Sequence, residues 1–80
     1  MLKEYLGAAL RKARYEIRDD GPGFYGEIPE CRGVWATAVT LEECRLQLED
    51  VLEEWVLFRV SRNLSLPVLD GVELRIREVA

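Results

Sequence analysis

One long stretch at helical spacing constrains this chain more than anything else in it. It opens at Thr40-Leu41-Glu42-Glu43 and follows directly on three short alternating segments. The Thr40 hydroxyl is placed to accept from the amide of Glu43, and the Glu43 carboxylate to reach back to the amide of Thr40, which makes a capping box. Glu42 and Glu43 also sit at the positive end of the helix dipole. Leu41, Cys44, Leu48, Val51, Leu52, Trp55 and Phe58 then recur along one stripe, so a helix is expected over 41–61. Trp55 falls mid-stripe and reads as core. Arg59 and Arg62 complement the C-terminal end, and Asn63 is a suitable terminator. A helix with one apolar stripe needs a second layer to bury it, and the segments before it supply one.

Residues 13–19, ARYEIRD, alternate, with Ala13, Tyr15 and Ile17 on one side and Arg14, Glu16 and Arg18 on the other. Asp20-Gly21-Pro22-Gly23 predicts a hairpin turn. In the second strand, 24–28, Phe24 and Ile28 face inward and Tyr25 and Glu27 outward. Gly26, between them on the inward side, marks a bulge or the close approach of another backbone. Pro29 stops this strand and Gly33 turns the chain into a third, 34–39, VWATAV. If Val34, Ala36 and Ala38 face the helix, Trp35 looks away from it. Two readings of Trp35 then compete: an exposed interface anchor, or a side chain covered by the N-terminal helix. That helix is expected over residues 2–12, with Leu2, Leu6, Ala9 and Leu10 at helical spacing and Gly7 weakening it. Residues 64–71, LSLPVLDG, read as an irregular connection, and 72–77, VELRIR, as a last strand.

The 80 residues suffice for one small domain, 1–80, and 49% hydrophobic residues argue against disorder. The order is N-terminal helix (1–12), three-stranded meander (13–39), long helix (41–61) and last strand (72–77). This predicts an α+β fold, with a four-stranded sheet carrying the helix on one face and the fourth strand parallel beside the first. The other sheet face would hold Arg14, Glu16, Arg18, Tyr25, Glu27, Trp35, Glu73, Arg75 and Arg77, too polar for a core.

The formal charge is −4, which disfavours direct nucleic-acid binding and suits a basic protein partner. Two cysteines without a histidine do not make a zinc site. Cys44 reads as a buried thiol on the helix stripe and Cys31 as an exposed thiol in a turn, both reduced in a cytoplasmic protein. No signal peptide or membrane-length apolar run is present in the sequence.

Tyr15-Glu16-Ile17, Asp19-Asp20-Gly21, Phe24-Tyr25, Ile28-Pro29, Gly33, Thr40-Leu41-Glu42-Glu43 and Leu66-Pro67 occur in an order and spacing that resembles the HicB-like antitoxin domain. The resemblance implies a β-β-β-α-β, partial ribonuclease-H-like sheet. It also implies a role in binding and neutralising a small basic HicA-like toxin that cleaves mRNA. Many members add a C-terminal DNA-binding domain. This chain, ending at Ala80, is expected to be of the short, standalone kind, with an additional N-terminal helix. Cys44 stands where the family carries an alanine, and Ala38 where a glycine is common.

The expected function is therefore a non-catalytic protein-binding module of antitoxin type. The alternative is a standalone, self-associating structural or regulatory domain with no toxin partner. For a basic partner the candidate residues are Glu49, Asp50, Glu53 and Glu54; for self-association into a homo-oligomer they are Trp35, Tyr25 and Leu6. No cofactor, metal or membrane partner is expected. Asp19, Asp20, Glu27 and Glu43 invite comparison with nuclease carboxylates. Glu43 is committed to a cap, Asp19 and Asp20 are ordinary turn residues, and no nucleophile–base pair accompanies them. Catalysis is accordingly not expected.

Overall fold

The computed structural model describes residues 2–72 and Leu74. Five elements follow in order: α1 (Leu2–Arg11), β1 (Arg14–Ile17), β2 (Phe24–Glu27), β3 (Trp35–Ala38) and α2 (Leu41–Ser61). The strands form an antiparallel meander in the order β1-β2-β3, and α2 lies across β3 and β2 with α1 packed against it. Of the expected strand 72–77, only Val72 and Leu74 fall within the described residues, and the strand as such lies outside them.

Both ends of α2 are built from side chains and turns that the sequence encodes locally. At the start, the Glu43 amide donates to Thr40 Oγ1 at 3.1 Å. Among the described residues this is the half of the capping box that forms. At the end, Asn63 takes a left-handed φ of 55°, the Asn63 amide donates to the Val60 carbonyl (3.1 Å), and that of Leu64 to the Arg59 carbonyl (2.8 Å). These are the two bonds of a Schellman motif, with asparagine in the usual place of glycine.

The core joins Tyr5, Ala8 and Ala9 of α1, Leu48, Leu52 and Val56 of α2, Val34 and Ala36 beside and on β3, Ile28 and Cys31 in the β2–β3 connection, and Leu69. Burying a side chain such as Leu48 or Leu52 contributes roughly 1.5–3 kcal/mol. The α2 stripe differs from the expected one. Val56 is fully buried, while Leu41 and Phe58 are exposed. A straight helix keeps only its middle against a sheet of four-residue strands, and the ends of the stripe run past it. Trp55 sits half-buried at the border of the stripe, where its Nε1 donates to the Arg32 carbonyl at 3.0 Å.

Three other expectations are corrected. Alternation places Ile17 inward, yet it is 75% exposed, because α2 packs chiefly on β3 and β2 and meets β1 at Tyr15 rather than at Ile17. Cys31 is buried. Its amide donates to the Ile28 carbonyl (2.9 Å) and its carbonyl accepts from Val34 (3.0 Å), so the connection folds over and tucks the thiol beneath it. Burial pushes that thiol up to a pKa of about 11, and Glu30 adds to the shift. The segment 64–71 is not irregular throughout. Asp70 (φ 50°) and Gly71 (φ 76°) form a two-residue reversing turn, closed by reciprocal backbone bonds between Leu69 and Val72. Asp70 also holds Lys12 Nζ at 2.7 Å, fastening that turn to the end of α1.

Gly26 is required for space. The register β1–β2–β3 is continuous through Tyr15, Gly26 and Ala36, so there is no bulge. What approaches Gly26 is the Tyr15 ring and Cys44 Sγ rather than a backbone.

Candidate protein-interaction surfaces

The helix α1 turns a different face inward than its leucines suggest. Tyr5, Ala8 and Ala9 are buried, and the small alanines let α1 approach α2 closely. The Tyr5 hydroxyl donates to the Pro67 carbonyl at 2.6 Å, and burial raises its pKa to about 12. Leu2, Leu6 and Leu10, spaced four apart, are thereby left on the flank. With Lys3 and Gly7 they line a groove of about 360 Å³, whose opposite wall is Glu49 and Glu53 of α2. Leu6, expected to serve self-association, and Glu49 and Glu53, expected to meet a basic partner, thus share one site.

Asp50 and Glu54 are exposed on α2 outside the residues lining that groove. Leu46 and Leu57 are also exposed, at 60% and 51%. Their separation of eleven residues, a near-whole number of helical turns, sets them on one side of α2 with Asp50 and Glu53 between. Neither leucine belongs to the buried stripe, and neither is among the residues expected from sequence. The signal that reveals them is a second, sparser apolar repeat on a helix whose core stripe is already complete. Among the described residues, Glu49, Asp50, Glu53 and Glu54 form no ion pair; the pairs present are Asp70 with Lys12 and Arg11, and Asp20 with Arg18. The pairs Glu49–Glu53 and Asp50–Glu54, four apart, each oppose helix formation by roughly 0.2–0.5 kcal/mol. A cationic partner would relieve that repulsion.

The second surface is the sheet face away from α2. The registers Arg14–Glu27–Trp35 and Glu16–Tyr25–Thr37 make two rows across it. Trp35 is 55% exposed and stacks on Tyr25, with ring centroids 6.2 Å apart and planes at 25°. Tyr25 donates to Glu27 Oε2 at 3.2 Å. The reading in which the N-terminal helix covers Trp35 is corrected: α1 packs on α2 and leaves Trp35 exposed.

A third concavity, about 300 Å³, lies between Glu30, Arg32, Trp55, Arg59 and residues 65–67. The Arg59 guanidinium stacks 5.0 Å from the Trp55 ring centroid and its Nε donates to the Ser65 carbonyl at 2.9 Å, so Arg59 ties the chain after α2 back to the helix.

The carboxylates compared with nuclease ligands are dispersed. Asp20 is engaged by Arg18 (3.1 Å), whose hydrogen bond lowers its pKa. Glu27 lies on the sheet face, and Glu43 is at the start of α2. Among the described residues no three His, Cys, Asp or Glu side chains come together as a metal could use. Nor is any described helix long and apolar enough to cross a membrane.

Fold and topology together define a small α+β domain. The chain belongs to the UPF0150-like family, whose model matches residues 4–67. Its structure is similar to that of TTHA0281 from Thermus thermophilus, with 43% sequence identity, a TM-score of 0.90, and coverage of 96% of this chain and 95% of that one. No curated protein matches the chain.

Proposed function

We propose that this domain is a non-catalytic protein-binding module of antitoxin type, which captures a small basic HicA-like toxin and blocks its cleavage of mRNA. The observation that carries the reading is the groove between α1 and α2. It has an apolar side of Leu2, Leu6 and Leu10 and a wall of two carboxylates, Glu49 and Glu53, that no cation within the described residues engages. Such a groove suits a partner offering an apolar side chain flanked by lysine or arginine. Asp50, Glu54, Leu46 and Leu57 extend the same chemistry over the outer side of α2. Two further supports are the relation of the UPF0150-like family to HicB-like toxin–antitoxin families and the order of turn and cap motifs along residues 15–67.

The test is to co-express the chain with the small basic protein encoded beside it, isolate any complex, and assay RNA cleavage with and without the domain. Capture in a fixed ratio with loss of cleavage is expected. A partner that cleaves RNA unimpeded at excess domain would overturn the reading.

A further inference from the structure

We infer that the sheet face away from α2 is the interface of a two-fold dimer of this chain, independent of the groove and of the antitoxin reading. The two rows on that face dictate how a second copy would fit. Place a two-fold axis in the plane of the interface, running across the strands between the row Arg14–Glu27–Trp35 and the row Glu16–Tyr25–Thr37. Rotation then exchanges the rows and keeps each strand over its own counterpart. Along β1, Arg14 meets Glu16 of the second copy, and Glu16 meets its Arg14. Along β2, Tyr25 meets Glu27 of the second copy. Along β3, the Trp35 ring covers its Thr37. Each of these contacts is complementary, and the Arg14–Glu16 charge pair is generated twice by the symmetry.

The groups this arrangement uses are available. Arg14 and Glu16 are exposed and, among the described residues, neither forms an ion pair; Glu27 is engaged only by the Tyr25 hydroxyl. The stack of exposed Trp35 on half-buried Tyr25 is the apolar anchor that such an interface needs at its centre. A basic partner is the wrong occupant for this face, because Arg14 lies among its carboxylates. A second copy matches both signs. Leu6, on the flank of α1, takes no part.

The mass of the intact chain in solution is measured by light scattering across a dilution series, with circular dichroism confirming that each variant is folded. Wild type is expected at twice the 9.2 kDa chain mass. Arg14→Glu sets like charges opposite each other twice and is expected to weaken the dimer ~tenfold or more. Glu16→Arg does the same. The double variant R14E/E16R exchanges the charges and is expected to restore the dimer to within a few-fold of wild type. Trp35→Ala is expected to weaken it comparably without charge change. A chain that is monomeric at all concentrations overturns the proposal. So does an oligomer indifferent to R14E and W35A, or a double variant no better than either single one.

Discussion

Replacing Gly26 by alanine probes the packing between sheet and helix most sharply. The residue is extended and carries no conformational demand for glycine, so the substitution isolates volume. An added Cβ would lie 2.8 Å from Tyr15 Cε1, 2.9 Å from Tyr15 Cδ1 and 3.1 Å from Cys44 Sγ. Two of these distances are shorter than real Cβ atoms tolerate. The Cys44 sulfur is fully buried on α2, where it contacts the Ala36 carbonyl at 3.5 Å, and has nowhere to retreat. The half-buried Tyr15 ring must therefore swing outward or α2 must rise. Overpacking of this kind costs roughly 1–3 kcal/mol. Alanine in a strand recovers about 0.5–1 kcal/mol of backbone entropy relative to glycine. Taking the middle of each range, the net loss is about 1 kcal/mol, out of a total of roughly 4–12 kcal/mol for a chain this size. Thermal denaturation should show Tm lower by about 4–8 °C. Adding Cys44→Ala or Tyr15→Leu should return part of that loss, because either removes one of the two opposing groups. A G26A variant as stable as wild type would refute the close packing of β2 under α2.

Three further perturbations test other parts of the structure. Tyr5→Phe removes the donor to the Pro67 carbonyl and should cost ~1–2 kcal/mol in urea denaturation; an unchanged midpoint would show that this bond does not fasten α1 to the segment after α2. Thr40→Ala deletes the cap of α2 and should cost ~1 kcal/mol, with Thr40→Ser retaining most of it; equal loss from both would contradict the capping role. Stability should fall on the alkaline side, because Cys31 and Tyr5 have folded pKa values raised to about 11 and about 12, above their ordinary 9.0 and 10.0. A raised folded pKa stabilises fully below the unfolded value and loses that contribution as pH rises through the folded one. The loss therefore begins near pH 9 and is complete near 12, and denaturation midpoints that stay flat over that interval would refute it.

The features legible in the sequence are those fixed by local chemistry. The ends of α2 follow from Thr40 and Asn63, and β1 and β2 are divided by the turn at 20–23. The inward set Val34 and Ala36 follows from alternation. What failed depended on how far one layer covers another. Alternation places Ile17 on the helix side of the sheet, but cannot say that α2 reaches Tyr15 of β1 and leaves Ile17 uncovered. Spacing gives α1 the stripe Leu2, Leu6, Ala9 and Leu10, of which Ala9 is buried, but burial also selected Tyr5 and Ala8 in place of the leucines; the small alanines allow the helices to close and the tyrosine finds an acceptor in Pro67. The candidate site was legible in its charges. Its shape was not, because the groove exists only once Leu6 and Glu53 are brought together from two separate helices.

Capture of a basic partner at the groove between α1 and α2 differs from attraction by net charge alone in where a charge change matters. Calorimetric titration of the adjacent basic protein into three forms of the domain separates the two. The forms are wild type, Glu49→Lys/Glu53→Lys, and Asp19→Lys/Glu30→Lys, which makes the same change in charge at exposed turn positions. The groove variant is expected to bind ~tenfold or more weakly, and the turn variant within a few-fold of wild type. Equal weakening by both variants, or undiminished binding to the groove variant, would contradict capture at the groove.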